Sequence, residues 1–202
     1  MTAIALIDYG AGNLRSVRNA LVAAGAEDVA VTADPAVVAS ADRIVLPGVG
    51  AFAACMNGLS AIDGLIGAME QRVRGEGAPF LGICVGMQLL ADAGEEHGRH
   101  AGLGWIAGTV RAFEPAPGLR IPHMGWNDVV PAYPHPVIAA GEAYYLHGYH
   151  FVHAVDVAAT SSHGETFVAA VAKDNIVGVQ YHPEKSQAYG LATLERFLAW
   201  RP

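Results

Sequence analysis

Residues 82–88 read Gly-Ile-Cys-Val-Gly-Met-Gln, and this stretch decides both the fold and the candidate chemistry of the chain. It follows a short apolar run at residues 78–81 and precedes a helix-like apolar run at residues 89–91. Glycines two positions before and after Cys84 permit a tight turn. The pattern therefore predicts a strand, a sharp turn and a helix with the cysteine at the turn, which is typical of a nucleophile elbow, here G-x-C-x-G.

A cysteine in this position is a candidate nucleophile. Free N–H groups at the start of a helix favour the thiolate, and the N–H of Val85 would point at an oxyanion that develops beside Cys84. The alternative is that Cys84 only fills space, because unpaired cysteine is among the most buried residue types. The elbow alone leaves both interpretations open.

A second segment, residues 179–186 with the sequence VQYHPEKS, contains the groups that a thiol nucleophile needs. Residues two apart in an extended segment point to the same side, so His182 and Glu184 can serve one site as base and orienting carboxylate. The alternative is a surface histidine beside a solvated glutamate at a strand end. Together with the elbow, the pair favours a triad of Cys84, His182 and Glu184.

Composition limits the classes of function. The chain has 202 residues, of which 52% are hydrophobic, and this suits one α/β domain that comprises residues 1–202. A net charge of -7, with 12 basic residues and no basic run, makes nucleic acid and anionic membrane surfaces poor partners. Two cysteines, Cys55 and Cys84, indicate no disulfide framework and favour a reducing cytoplasm. We expect neither a signal peptide nor a transmembrane segment.

The first half of the chain alternates strand and helix signals. Buried-type strands are predicted at residues 4–7, 29–32, 43–46 and 80–84. Helices are predicted from an N-cap at Asn13 to a stop at Gly25, at residues 35–40, and at residues 52–74 with a break near residues 58–63. This alternation predicts a mainly parallel sheet with helices on both faces.

The second half changes character after Gly94. Short β-type runs, separated by proline- and glycine-rich turns, occur at residues 105–113, 128–130, 143–152, 166–172 and 176–181. They predict antiparallel additions that extend the same sheet, and a last amphipathic helix follows at residues 187–200. The fold class is thus α/β, and Cys84 is expected at the carboxyl end of a central parallel strand, where such folds bind ligands.

The elbow and the HPE segment together resemble the class I (triad) glutamine amidotransferases, which have a flavodoxin-like fold. Three further segments are similar to the glutaminase subunits of imidazole glycerol phosphate synthases: DYGAGNL at residues 8–14, PGVGAF at residues 47–52 and PHMGWN at residues 122–127. The last segment is the most discriminating of the three. The resemblance runs from residue 3 to about the C-terminus, with matching length and motif order.

Matched by position, the resemblance implies a role for each of ten residues. The catalytic residues are Cys84 as nucleophile, His182 as general base and acid, and Glu184 as orienting carboxylate. Backbone donors of the oxyanion hole come from Val49, Gly50 and Val85, and the glutamine substrate contacts Gln88 and Gly50. The partner subunit is expected near Asn13, Met124 and Trp126.

The resemblance also implies the reaction and the partner. Glutamine would be hydrolysed to glutamate and ammonia through a cysteine thioester. A separate cyclase chain with a (β/α)₈ barrel would form a heterodimer with this chain and use the ammonia to make imidazole glycerol phosphate and AICAR in histidine biosynthesis. No cofactor and no metal ion is expected.

Other interpretations compete with this one. Related triad glutaminases serve pyridoxal phosphate, anthranilate, aminodeoxychorismate or GMP synthesis, and the same fold can act as a non-catalytic binding or redox-sensing module. Residues 48–53 match G-x-G-x-x-A, but they follow the third strand rather than the first, which disfavours dinucleotide binding. His147, His150 and His153 would alternate faces on a strand, so they are poor joint metal ligands.

Overall fold

The computed structural model describes residues 2–202. Within these residues the chain forms thirteen strands, namely β1 (Ala3–Ile7), β2 (Asp28–Thr32), β3 (Arg43–Gly48), β4 (Phe80–Cys84), β5 (Ala93–Gly94), β6 (His100–Ala101), β7 (Thr109–Ala112), β8 (His123–Pro131), β9 (Gly141–His147), β10 (Tyr149–Val152), β11 (Val157–His163), β12 (Glu165–Lys173) and β13 (Ile176–Val179). It also forms six α-helices, namely α1 (Leu14–Ala23), α2 (Pro35–Ser40), α3 (Phe52–Ser60), α4 (Leu65–Glu70), α5 (Val85–Gln88) and α6 (Gln187–Ala199).

Nine of these strands form one sheet in the order β2-β1-β3-β4-β13-β12-β11-β8-β9. The first five are parallel to one another, and the other four run antiparallel to their neighbours. This confirms the predicted α/β fold with a parallel sheet in the first half and antiparallel additions in the second. Because β4 lies between β3 and β13, the carboxyl ends of three parallel strands meet at the elbow.

Helices cover both faces of the parallel half. The chain moves from β1 to β2 on one side and then past β1 to β3 on the other, and right-handed crossovers place α1 and α2 on opposite faces. Accordingly, α1 packs against α6, whereas α2 packs against α4. The α1 helix buries Val17 and Leu21 and ends before Gly25, whose φ of +100° stops it as predicted.

The predicted helical region at residues 52–74 is divided as expected. Between α3 and α4 the backbone of Gly64 has a φ of +75°, which a helix does not accommodate. A π-helical turn, Gln71–Gly75, extends α4, so the two segments are Phe52–Ser60 and Leu65–Gly75, bent by 94°. Within residues 2–202 no single helix is long and apolar enough to cross a membrane. The two helices of this bent pair reach the required length and apolar composition only when they are taken together.

Two predictions for the second half need correction. The run at residues 105–113 forms only the short strand β7, and the run at residues 143–152 divides at Gly148 into β9 and β10. Strand β10 pairs with β7 in a separate four-stranded sheet, whereas β9 pairs with β8 in the large sheet. The run is apolar on both sides of Gly148, and a lone glycine is a weak signal for a change of sheet.

Three glycines allow the elbow to pack against the backbone of β3. A Cβ atom on Gly86 would overlap the carbonyl oxygen of Leu46, and one on Gly82 would lie 2.7 Å from the carbonyl oxygen of Gly86. A Cβ atom on Gly48 would lie 2.6 Å from the nitrogen of Gly86. Because these neighbours are backbone atoms, a side chain at any of the three positions would force the strands or the elbow apart.

We therefore expect Gly86→Ala to lower the free energy of unfolding by about 3 kcal/mol or more, since overpacking against backbone cannot be relieved by a rotamer change. The matched control is Gly67→Ala in α4, where an added Cβ meets nothing within 4 Å. That variant should gain about 0.5–1 kcal/mol. Urea unfolding followed by circular dichroism measures both, and equal stabilities for the two variants would contradict the packing described for the elbow.

Candidate active site

Cys84 is the last residue of β4 and the N-cap of the one-turn helix α5. Its backbone has a φ of 54° and a ψ of -114°, a region that residues with a side chain rarely occupy. The strand, sharp turn and helix predicted at residues 82–88 are therefore present. Within residues 2–202, Cys84 Sγ accepts a hydrogen bond from Gln180 Nε2 at 3.7 Å and donates one to the Leu146 carbonyl at 3.8 Å.

His182 and Glu184 follow β13 and lie next to each other. His182 Nδ1 is 2.9 Å from Glu184 Oε1, and because a carboxylate can only accept, Nδ1 carries the proton. Both side chains are almost completely buried. The prediction that the two residues meet is correct, but the segment is not a continued strand: Pro183–Lys185 forms a 3₁₀ turn, which carries Glu184 back to the ring.

The protein backbone holds the imidazole in place. The N–H of His182 donates to the carbonyl of Tyr144 at 2.9 Å, and Ser186 Oγ donates to the carbonyl of His182 at 2.7 Å. Burial on its own lowers the pKa of His182, but the interactions with Cys84 and Glu184 outweigh burial and raise the pKa to about 10. With a pKa of about 10 the ring is protonated at neutral pH and can act as a proton donor.

A cavity of about 460 Å³ opens at the carboxyl ends of β3, β4 and β13. It brings together the predicted residues Val49, Gly50, Cys84, Val85, Gln88 and His182. Glu184 lies behind His182 rather than in the cavity wall. Further lining residues, which the sequence pattern does not assign to the site, are Glu96, Ala112, Ile121, Pro122, Leu146, His147, Gly148 and Tyr149.

Backbone N–H groups of Val85 and Gly50 flank the cavity on two sides. Val85 is the first residue of α5, so its N–H has no partner within the helix. On the other side, the carbonyl of Val49 accepts a weak hydrogen bond from Cys55 Sγ at 3.6 Å, at the start of α3. Since the N–H and C=O of one trans peptide point in opposite directions, the N–H of Gly50 points away from Cys55.

Gln88 lines the cavity with one end of its amide already engaged. Its Nε2 donates to the carbonyl of Tyr149 at 2.9 Å and to Gln180 Oε1 at 3.0 Å. Its Oε1 has no hydrogen-bond partner within residues 2–202. The oxygen of Gln88 is therefore the atom that remains for a ligand with an N–H donor.

The sequence pattern did not predict two residues of the candidate site, Gln180 and Glu96. Gln180 is fully buried and contacts both Gln88 and Cys84; the signal for it is its position two residues before His182. Glu96 lines the cavity, and its Oε2 accepts a hydrogen bond from the N–H of Phe52 at 2.8 Å. Nothing in the sequence around Glu96 indicates this, because its position depends on how the loop after β5 folds back to α3.

The three residues expected near a partner lie outside the cavity. Met124 and Trp126 are on the outward side of β8, with exposed fractions of 63% and 46%. Asn13 is exposed at the start of α1, after the carboxyl end of β1. It occupies the N-cap position as predicted, but its side chain makes no capping hydrogen bond.

Four histidines form an aromatic cluster beside the cavity. The rings of His123 and His163 stack at 4.1 Å, and His147 lies 5.6 Å from His123. His150 stacks on Phe113 at 4.5 Å. Within residues 2–202 no group of three or more histidine, cysteine, aspartate or glutamate side chains is arranged to hold a metal ion.

Comparison with known proteins places the chain among glutamine amidotransferases. Residues 5–199 match the family described as Glutamine amidotransferase class-I. The chain is 58% identical to imidazole glycerol phosphate synthase subunit HisH of Zymomonas mobilis, over 98% of this chain and 96% of the relative. It is 53% identical to the subunit of the same name from Caulobacter vibrioides, over the full length of both.

Solved structures share the fold at lower sequence identity. A crystal structure described as a glutamine amidotransferase superposes with a TM-score of 0.73 at 18% identity, covering 96% of this chain and 97% of that one. The structure of PurLQS from Thermotoga maritima gives a TM-score of 0.71 at 20% identity, covering 98% of this chain and 99% of that one. At these identities the similarity shows the fold alone.

The histidine cluster makes stability depend on pH. Burial is the main cause that lowers the pKa of His123 to about 4 and that of His147 to about 3, below the unfolded value of 6.5. Between these values the unfolded chain binds more protons, so the contribution of these two histidines to the free energy of unfolding is fully present above pH 6.5 and is lost as the pH drops below it. We expect His147→Gln to reduce that slope by up to about 1.4 kcal/mol per pH unit.

Urea unfolding at a series of pH values between 7.5 and 4.5 measures this slope. The matched control is Phe113→Leu, which disturbs packing against the same rings without removing an ionisable group. It should lower the stability by a similar amount at every pH and leave the slope unchanged. A wild-type stability that stays constant from pH 6.5 to 4.5 would refute the predicted effect.

Proposed function

Because the chain belongs to the class I glutamine amidotransferases, and within them to the family of the imidazole glycerol phosphate synthase subunit HisH, we propose that its cavity hydrolyses glutamine and that the chain supplies ammonia for histidine biosynthesis. The observation that carries the proposal is the buried pair of His182 and Glu184 in the same site as Cys84, which lies at a strained turn on the cavity wall. Nucleophile, proton donor and orienting carboxylate are thus available together.

In the proposed reaction, Cys84 Sγ attacks the side-chain amide carbon of glutamine. The tetrahedral oxyanion accepts hydrogen bonds from the N–H of Val85 and from the Val49–Gly50 segment. His182 gives its proton to the amide nitrogen, the C–N bond breaks, and ammonia leaves a γ-glutamyl thioester. Water then attacks the thioester as its proton passes to His182, and the thiolate departs with release of glutamate.

Glu184 holds the ring for both proton transfers. Its hydrogen bond at Nδ1 fixes the tautomer that presents Nε2 to the substrate. It also contributes to the raised pKa of His182. The imidazole is therefore oriented and charged before the leaving group needs a proton.

Two cavity residues fit the polar ends of glutamine. The Gln88 side-chain oxygen, which has no hydrogen-bond partner among the described residues, accepts from an N–H group of the substrate. The carboxylate of Glu96 attracts the positively charged α-ammonium group. Gly50 has a φ of +110° and no side chain, so the substrate backbone can approach the loop closely. These contacts select a small amino acid with a terminal amide.

The ammonia passes to a second chain, the cyclase of imidazole glycerol phosphate synthase, in a heterodimer. Free ammonia is mostly protonated in neutral water and then no longer nucleophilic, so a protected route to the acceptor retains its reactivity. The exposed apolar side chains of Met124 and Trp126 and the exposed Asn13 are the residues proposed to meet that partner. As an enzyme of histidine biosynthesis the protein works in the cytoplasm, which agrees with two unpaired cysteines.

We expect Cys84→Ala to abolish synthesis of imidazole glycerol phosphate from glutamine and to leave synthesis from added ammonium salt intact. The physical reason is that only the glutaminase step needs the sulfur, whereas the cyclase step needs only ammonia. The measurement is product formation by the purified complex with each nitrogen source, after gel filtration has shown that the variant still co-elutes with the cyclase.

Measuring glutamate release by the wild-type chain, alone and with the cyclase, tests whether the cyclase or a different synthase is its partner. Stimulation by the cyclase and its nucleotide ligand supports the histidine pathway. Failure to associate with the cyclase, together with activity alongside a different synthase, would overturn the choice of partner and keep the glutaminase chemistry. Loss of ammonia-dependent synthesis in an assembled Cys84→Ala complex would overturn the division of labour.

Trp126→Ala should weaken binding of the cyclase by at least about 30-fold, because truncating a central interface tryptophan costs on the order of 2 kcal/mol or more. Isothermal titration calorimetry with the two separately purified proteins measures the Kd. The matched control is Val31→Ala on β2, an exposed apolar residue at the opposite edge of the sheet. Equal Kd values for the two variants would exclude Trp126 from the interface.

A further inference from the structure

The side chain of Gln180 connects two residues of the proposed site. It is completely buried, with an exposed fraction of 0%. Its Oε1 accepts a hydrogen bond from Gln88 Nε2 at 3.0 Å, and its Nε2 lies 3.7 Å from Cys84 Sγ. The proposed mechanism gives this residue no role, although it touches both the nucleophile and a residue that lines the cavity.

A backbone carbonyl fixes the direction of both amides. The oxygen of Tyr149 can only accept, so Gln88 must turn its NH₂ group towards it. The same NH₂ group also faces Gln180, which must therefore present its oxygen to Gln88 and its own NH₂ group to Cys84. Reversing the Gln180 amide would put two NH₂ groups against each other and an oxygen lone pair against the sulfur.

We infer that Gln180 is a positioning residue that directs an N–H group at the sulfur of Cys84, and that Gln88 holds it in this direction. The inference rests on the proposed role of Cys84 as nucleophile. A hydrogen bond to a charged acceptor is stronger than one to a neutral acceptor. Gln180 therefore favours the thiolate, both as the attacking group and as the group that leaves the thioester.

Gln88 has two functions in this arrangement. Its Oε1 is available to the substrate, while its NH₂ group aligns Gln180. Removing Gln88 should therefore affect the sulfur even when no substrate is bound. A residue that only contacted substrate would have no such effect, and this difference makes the inference testable.

The first experiment measures the rate of alkylation of Cys84 by iodoacetamide as a function of pH in the full-length chain. Peptide mass spectrometry separates Cys84 from Cys55. We expect Gln180→Met to move the pH midpoint of alkylation upward by about one pH unit, the equivalent of one hydrogen bond to a charged group. Gln88→Met should move it in the same direction by less, and the double variant should match Gln180→Met.

The double variant decides whether the two residues act as a unit. Shifts that simply add would show that Gln88 does not act through Gln180, and an unshifted midpoint in Gln180→Met would overturn the inference. Gln180→Glu serves as a second variant of the same shape, without the donor and with a negative charge, and it should raise the midpoint further. The control is Val177→Ala, a buried residue of β13 that pairs with Leu81 and Ala172, whose midpoint should equal that of wild type.

The other ionisable groups near the sulfur are unchanged in these variants, and the two that share a segment with Gln180 are held by the hydrogen bonds that join the backbone of His182 to Tyr144 and to Ser186. These ionisable groups are His182, Glu184, Tyr9, Cys55, Glu96 and His147. A shift of the midpoint in Gln180→Met, but not in Val177→Ala, is therefore caused by the lost amide.

Kinetics of the assembled complex provide the second readout. Gln180→Met should lower kcat for glutamine with little change in KM, whereas Gln88→Met should also raise KM. A rise in KM alone for Gln180→Met would overturn the inference. Alkylation needs no glutamine, so an inactive wild-type complex would refute the proposed function while leaving the alkylation result to decide the role of Gln180.

Discussion

The whole site depends on the close approach of the elbow to β3. Gly48, Gly82 and Gly86 have no Cβ atoms where backbone meets backbone, and this lets the turn after β4 sit against the neighbouring strand. In the parallel register Gly48 pairs with Cys84. The loop that begins at Val49 therefore starts beside Cys84, the proposed nucleophile, because of strand pairing, and no long-range loop closure is needed to bring a second backbone donor to the cavity.

The same register explains what lies on the other side of Cys84. On β13, Gly178 pairs with Gly82 and Val179 with Ile83, so one further step brings Gln180 to Cys84. His182 then follows past the end of the strand, where the 3₁₀ turn carries Glu184 back to its ring. A row formed by β3, β4 and the residue after β13 thus presents Gly48, Cys84 and the amide of Gln180. Groups held by strand pairing keep their spacing more reliably than groups held by loops.

Much of the fold and of the candidate site could be predicted from local sequence. Segments with strong local signals were predicted to the residue, as for α2, which opens with a proline, and for β4, which ends at the elbow. Strand β11, however, consists mainly of small and polar residues and gives little periodic signal, so its place in the sheet is decided by pairing with β12. Gln180 was missed for a related reason. Its contacts depend on strand register and on the direction of an amide, and neither can be read from residue types alone.

The buried side chains of the proposed site are held more firmly than the loop that begins at Val49. His182, Glu184 and Gln180 are buried. Hydrogen bonds of 2.7–3.0 Å hold them to one another, to backbone carbonyls and to the side chains of Gln88 and Ser186. Within residues 2–202 the Val49 carbonyl, by contrast, accepts only a sulfur hydrogen bond of 3.6 Å, and the Val49 residue itself is 43% exposed. A thiol is a weak donor, so rotating the peptide that follows Val49 costs far less than moving any member of the triad. Of the groups that would stabilise an oxyanion, the donor on this loop is therefore the one whose orientation a bound molecule can change most easily.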